Sequence, residues 1–265
     1  MTKNFRSHIA AVLCGVGCSA LIPLAGCATS ATKAQAELDT KKARSQFEIG
    51  IDHLNNGRVA LALGQLLSAE RLDPKNARIQ YALAEAYTRK GKIEEAEQHL
   101  LRALELYPPY HDARLMLSNL YIHEGRYEEA IVQTGLLLED PTFPGPWRAI
   151  TNQGWAKFRL GRNAEARVDL ELSLEYNRRH WPTLLNLGIL EAQEGHRLEA
   201  IALLGEMLDL DPRPTAQAEA NYRLAEIYVS IGQRERALGH LMTAVAQVPS
   251  GPWRKKSEEY LKLLR

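Results

Sequence analysis

The chain has 265 residues, 45% of them hydrophobic and 25% charged, with a formal charge of +1 and a mean hydropathy of −0.30. These values exclude wholesale disorder and a polytopic membrane protein, and they leave enough apolar residues to bury a sizeable core. The balance of 33 basic against 32 acidic residues excludes the broad basic surface that nucleic-acid binding needs, so no nucleic-acid partner is expected. Residues 1–8 carry Lys3 and Arg6 without an acid, and residues 9–24 form an apolar run interrupted by glycine. That is a signal-peptide pattern, too short for a spanning helix of about 20 apolar residues.

The run closes on Leu24-Ala25-Gly26-Cys27. This string resembles a bacterial lipobox, in which cleavage falls before the cysteine, the thiol takes diacylglycerol and the new amino group is acylated. The resemblance implies a lipidated Cys27 at the mature N-terminus, held by acyl chains at roughly 0.8 kcal/mol per buried CH₂. Removal of residues 1–26 takes Lys3 and Arg6 from the basic total and nothing from the acidic one, leaving a formal charge of −1. Cys14 and Cys18 leave as well, so no disulfide is expected. Ala28 follows where an inner-membrane retention signal has Asp, which implies the periplasmic face of the outer membrane. Residues 28–42 are small and polar and read as a tether that can run on into the first helix.

Beyond the tether, Gly57, Gly91, Gly125, Gly161, Gly195 and Gly232 recur at spacings of 34, 34, 36, 34 and 37. Five residues after each stands an alanine (Ala62, Ala96, Ala130, Ala166, Ala200, Ala237), and seven before each a small residue (Gly50, Ala84, Ser118, Gly154, Gly188, Ala225). A glycine that ends one helix in a positive-φ turn, with small residues where two helices cross closely, accounts for each position. Period and pattern resemble the tetratricopeptide repeat. The resemblance implies an all-α, right-handed solenoid of six helix-turn-helix repeats at 43–76, 77–110, 111–144, 147–180, 181–214 and 218–251. Gly145-Pro146 and Thr215 to Gln217 are expected to extend the joints after repeats three and five. Repeats three and four depart from the pattern, with Pro141 one place early and Arg178 in the usual proline position. Residues 252–265 place Trp253, Tyr260, Leu261 and Leu264 at helical spacing, as a C-terminal capping helix would.

Catalytic chemistry leaves no signature in this pattern. Seven histidines beyond the leader are scattered among the six repeats, no metal pair forms, and the Glu pairs at 94–95 and 128–129 open helices where negative charge is favourable. The chain is therefore expected not to be an enzyme and to use no cofactor, metal or small-molecule substrate. In the repeat family, helix A lines a concave surface through positions 2, 5, 9, 12 and 13 of each unit. Carried onto this sequence, a partner-binding groove is expected from Phe47, Ile51, Leu54, Tyr81, Leu115, Asn119, Ile122, Trp155, Phe158, Leu185, Ile189 and Tyr222. Asn119 would bond a partner backbone, and Arg78, Arg89, Arg148 and Arg159 would flank an apolar segment. The Lys/Asn pattern that clamps a chaperone's C-terminal carboxylate is missing.

One stretch goes beyond the generic repeat: Asp140-Pro-Thr-Phe-Pro-Gly-Pro, then Ala149-Ile-Thr-Asn-Gln-Gly-Trp, then Phe158-Arg-Leu-Gly. It resembles the joint between repeats three and four in the type IV pilus pilotin lipoproteins of the PilF/PilW/Tgl family. The resemblance implies an outer-membrane lipoprotein that binds secretin subunits and promotes their insertion or multimer assembly for pilus biogenesis and motility. The alternative is a generic repeat scaffold for another envelope assembly or a polysaccharide export complex.

Overall fold

The computed structural model describes residues 25–264, with side chains from residue 32 onward. The leader segment 1–24 and the side chain of Cys27 lie outside the described part, and with them the expected cleavage and lipidation. Thirteen helices and no strand occur among the described residues. They are α1 (Ala25–Asn55), α2 (Val59–Leu72), α3 (Ala77–Arg89), α4 (Ile93–Leu106), α5 (His111–His123), α6 (Tyr127–Leu138) and α7 (Pro146–Arg159). After these come α8 (Asn163–Tyr176), α9 (Trp181–Glu194), α10 (Arg197–Asp209), α11 (Pro214–Ser230), α12 (Arg234–Gln247) and α13 (Pro252–Leu264). None is long and apolar enough to cross a membrane among the described residues.

Odd-numbered helices from α1 to α11 are the A helices and even-numbered ones from α2 to α12 the B helices, each pair joined through a glycine at φ between 70 and 88°. No side chain other than hydrogen adopts that backbone cheaply, which fixes the turn. The alanine five residues on is fully buried in every repeat. A large residue at the crossing fills the gap left by a small one. A Cβ added to Gly50, Gly154 or Gly188 would come within 2.7, 3.0 and 2.9 Å of Leu66, Leu170 and Leu204 respectively. Packing of this kind tolerates no extra carbon without a shift in the neighbour.

Successive pairs stack so that each buries the open face of the one before. Leu54, Leu66, Ile79 and Leu83 form the core at the N-terminal end. Leu184, Leu190, Leu204 and Leu241 run through the C-terminal half, where Tyr260, Leu261 and Leu264 of α13 close the last repeat. The end of the stack is thereby sealed as a capping helix requires.

Two segments differ from expectation. Residues 28–42 are helical throughout, so that α1 runs unbroken for 31 residues; the stretch is rich in Ala and Lys, both strong helix formers. Thr215 to Gln217 lengthen α11 to 17 residues and leave its joint short. Pro214 occupies the first turn of that helix, where its fixed φ suits helix initiation and its missing N–H is not needed.

Candidate protein-binding groove

The A helices supply most of the side chains lining three clefts. At the N-terminal end, Phe47 and Ile51 from α1 face Arg78 and Tyr81 from α3, with Tyr110 ahead of α5. The Arg78 guanidinium lies 5.3 Å from the Phe47 ring centroid, and the Tyr81 and Tyr110 rings are 5.1 Å apart. Burial pushes the Tyr81 hydroxyl up to about 12, so it stays a neutral hydrogen-bonding group at physiological pH.

The central cleft has a volume of about 400 Å³ and draws on α5, α7 and α9. Leu115, Asn119 and Ile122 come from the first of these, Trp155 from the second and Leu185 from the third. Its charged groups are mostly cationic. Arg148 reaches Asp112 at 3.7 Å and lies over the Phe143 ring. Arg213 stacks on Trp181 at 5.5 Å. Beside the cleft, Arg159 sits between Tyr127 and Trp155 at 5.0 and 5.8 Å. Neither Arg159 nor Arg213 holds a carboxylate among the described residues, so each keeps its donors for something else.

The floor of the cleft is a largely buried polar layer. Thr151 Oγ1 is 2.9 Å from Ser173 Oγ and 2.7 Å from Thr183 Oγ1. His180 Nδ1 lies 2.7 Å from the same Thr183 hydroxyl. Burial, aided by Arg148, drives the His180 imidazole down to about 4, which keeps it neutral and able to share in the hydroxyl network. Position 5 of repeat four is therefore structural.

A third cleft forms between α9 and α11, where Ile189 and Ala192 meet Arg223 and Glu226. The expected groove residues thus divide. Phe47, Ile51 and Tyr81 share one cleft, while Leu115, Asn119, Ile122, Trp155 and Leu185 share another, and Ile189 lines the third. Leu54, 1% exposed, is inside the core against α3. Phe158 is buried beside Trp155, with ring centroids 5.2 Å apart. Tyr222 is covered by Trp253 and Tyr260 around the capping helix, at 5.5 and 6.0 Å. Trp181 and Arg213 were missed because they flank repeat five outside the five lining positions. The available signal was a Trp at the first position of a helix.

The joint after repeat three explains the distinctive motif. Asp140 Oδ1 accepts from the Thr142 N–H and hydroxyl at 2.8 and 2.7 Å, while Oδ2 is 2.7 Å from His111 Nε2. Those bonds pull the Asp140 carboxyl down to about 2. They also place Phe143 in a pocket with Leu115, Leu137 and Ala149. Asn152 donates to Ser118 Oγ at 2.9 Å, and Gly154 makes room for Leu170. The motif is a device for seating α7 on α5.

Among the described residues, no three His, Cys, Asp or Glu side chains converge as a metal would require. Tetratricopeptide-repeat models match residues 47–111, 91–149 and 191–255. No curated protein matches the chain. Among solved structures, PilW, described as a widely conserved type IV pilus biogenesis factor, is similar with a TM-score of 0.70 at 19% identity, over 81% of this chain and 97% of that one. PilF of Pseudomonas aeruginosa gives 0.67 at 18% identity, over 84% and 99%. The Cut9–Hcn1 assembly of the APC/C gives 0.70 at 19%, over 84% of this chain but 42% of its own. Likeness at this level shows a shared fold. The matched stretches cover more than half the sequence and the helix pairs continue through the unmatched repeat four, so the chain belongs to the tetratricopeptide-repeat proteins, helical scaffolds for protein–protein interaction.

Proposed function

We propose that the chain is an outer-membrane lipoprotein, anchored through Cys27, that binds secretin subunits of a type IV pilus and promotes their insertion or multimer assembly. The observation that carries this reading is the Asp140–Pro146 joint, whose sequence resembles that of the pilotins and whose turn and Phe143 seat one half of the stack on the other. The fold shared with two pilus proteins over nearly their whole length supports it. The chemistry of the central cleft supports a protein ligand. Apolar walls from Ile122, Trp155 and Leu185 with free guanidinium groups on Arg159 and Arg213 suit an extended or helical segment carrying apolar and acidic residues.

The test places a photo-crosslinking amino acid at Ile122 or Trp155 in cells. The secretin subunit is the expected adduct, and its absence, with other envelope proteins captured in its place, would reassign the scaffold to another assembly. Trp155→Ala should weaken the association by about 2 kcal/mol, at least 25-fold, with circular dichroism unchanged.

A further inference from the structure

The outer faces of the B helices differ from repeat to repeat in a way the groove does not explain. At their sixth and tenth positions, α2 has Gly64 and Ser68, α4 Gln98 and Arg102, α10 Ala202 and Glu206, and α12 Gly239 and Thr243. Only α6 and α8 place aliphatic residues at both: Val132 and Leu136, then Val168 and Leu172. Residues four apart lie on one helix face. These four are 58, 44, 63 and 39% exposed, and Arg162 and Glu128, 4.0 Å apart, link the starts of the two helices. Four exposed aliphatic side chains thus stand at matching positions of consecutive repeats, as an aliphatic stripe that passes from α6 to α8.

The rim of the stripe is acidic. Glu128, Glu139, Glu171 and Glu175 are all exposed. The last three make no ion pair among the described residues. Nearby arginines are already engaged: Arg126 with Glu97 and Glu129, Arg162 with Glu165, Arg167 with Glu191 and Glu194. Gly135 adds an independent observation. It stands inside α6 between Val132 and Leu136, and nothing lies within 4 Å of where its Cβ would be. A glycine there costs the helix about 1 kcal/mol against alanine and gains nothing within the chain. It does allow another backbone to approach closely. Gly64, Gly205 and Gly239 are equally open, yet only Gly135 falls within the aliphatic stripe.

We propose that the outer face of repeats three and four is a second protein-binding surface, fitted to an amphipathic helix with an aliphatic ridge flanked by Lys or Arg. The ridge would lie along Val132, Leu136, Val168 and Leu172 over Gly135, and its cations would meet the glutamate rim. The same carboxylates repel an anionic lipid surface.

The probe is a short fluorescent peptide helix built of Leu and Lys, titrated by anisotropy against the full chain, with a Leu/Glu helix as the counterpart. The Leu/Lys helix should bind and the Leu/Glu helix should not. Val132→Ser with Leu172→Ser should weaken binding about tenfold with the circular dichroism of the parent. Glu171→Gln with Glu175→Gln should weaken it at low salt and remove most of its salt dependence. Trp155→Ala should leave it unchanged, and this arm separates the surface from the groove reading, which can fail without touching this one. Binding that survives the serine substitutions, or that is lost in Trp155→Ala, overturns the proposal. So would flotation of the full chain with phosphatidylglycerol vesicles through Val132 and Leu172, or a dimer in sedimentation that the serine variant turns into monomer, since membrane or a second copy would then be the occupant.

Discussion

The joints after the third and fifth repeats both carry residues beyond the 34-residue period, and the molecule absorbs them in opposite ways. After repeat three the surplus stays outside the helices: seven residues, 139–145, link α6 to α7, whereas four link each of the other B-to-A pairs. Asp140 closes that loop as a turn and Phe143 fills its centre with an aromatic ring. After repeat five the surplus goes into α11, and the joint is filled by amides. Gln217 Nε2 donates to Asp211 and to the Pro212 carbonyl, both at 2.7 Å, and Gln217 Oε1 accepts from Gln247 at 2.6 Å. Asn221 continues the chain of bonds to His240 Nδ1 at 2.8 Å. Local chemistry decides which route is taken. Asp-Pro-Thr-Phe-Pro-Gly ahead of Pro146 does not continue a helix, since each proline removes a donor and restricts the residue before it. Thr-Ala-Gln has no proline and, behind Pro214 at the first helical position, extends the helix without penalty.

The first way to break the comparison is to empty the aromatic joint. Phe143 is 6% exposed, and replacing a buried Phe by Ala typically costs about 3–5 kcal/mol. Phe143→Ala should therefore lower the thermal midpoint more than any single change at the amide joint. A calorimetric loss below about 1 kcal/mol would mean that the ring does not hold the two halves together.

Ala216→Gly tests the other side. Ala216 is 5% exposed in the first turn of α11, where glycine raises the cost of helix by about 1 kcal/mol and exposes a methyl-sized gap. The expected loss is about 1–2 kcal/mol by denaturant melts. No loss at all would show that the extra turn of α11 is not held as helix in solution.

The contrast also explains how far the sequence could be read. Turn glycines and crossing alanines were legible because backbone geometry and contact distance admit almost no other residue there. Position within a repeat was a poorer guide to the groove. Leu54 occupies a lining position yet meets Ile79 and Leu83 of the next repeat, and Tyr222 lies under Trp253. Whether such a residue faces a partner or a neighbouring repeat depends on how the repeats curve and where the stack ends, which one repeat's pattern does not contain. Phe143 was visible as part of a family motif, but its role as a plug needed the partners Leu115 and Ala149, distant in sequence. Residues 28–42 carried helix-forming composition without the apolar period that marks a packed helix, so tether and helix looked alike. The stripe on α6 and α8 went unseen for another reason: exposed aliphatics become informative only when compared across repeats.

Acid titration separates the buried imidazoles from the carboxylate of the joint. His180 is held neutral down to about 4, below its ordinary 6.5, so the unfolded chain binds the proton first. Its contribution is full above about pH 6.5 and declines as pH falls to about 4. His99 and His240, both lowered by burial, act in the same direction. Asp140 is the reverse case in site but not in sign of slope. Its carboxyl is depressed from 3.8 to about 2, so its contribution is present above about 3.8 and is lost as pH falls through about 2. Asp140→Asn should flatten only the limb below pH 4 in the stability profile, and His180→Gln only the limb between 6.5 and 4. Either substitution that altered the other's limb would show that the joint and the polar layer titrate as one coupled unit.

The smallest effect is expected at Gly145, the residue ahead of α7. Its φ of −143° is open to any residue, so no conformational demand keeps glycine there. An added Cβ would come within 2.7 Å of Arg148 Nε, which is the mobile end of a long side chain and can move aside. Gly145→Ala should therefore change stability by less than about 0.5 kcal/mol, the unfolded state losing some freedom in partial compensation. What it should change is the position of Arg148, which lies over Phe143 and reaches Asp112 at the edge of the central cleft. If the guanidinium helps to hold an acidic partner segment, the alanine variant will melt like the parent but bind that segment more weakly, with the difference fading at high salt. A variant that both melts and binds like the parent would leave Arg148 as a brace for the aromatic joint alone. A variant that loses about 2 kcal/mol would show that the loop, unlike the helical turn after repeat five, has no slack for even one methyl group.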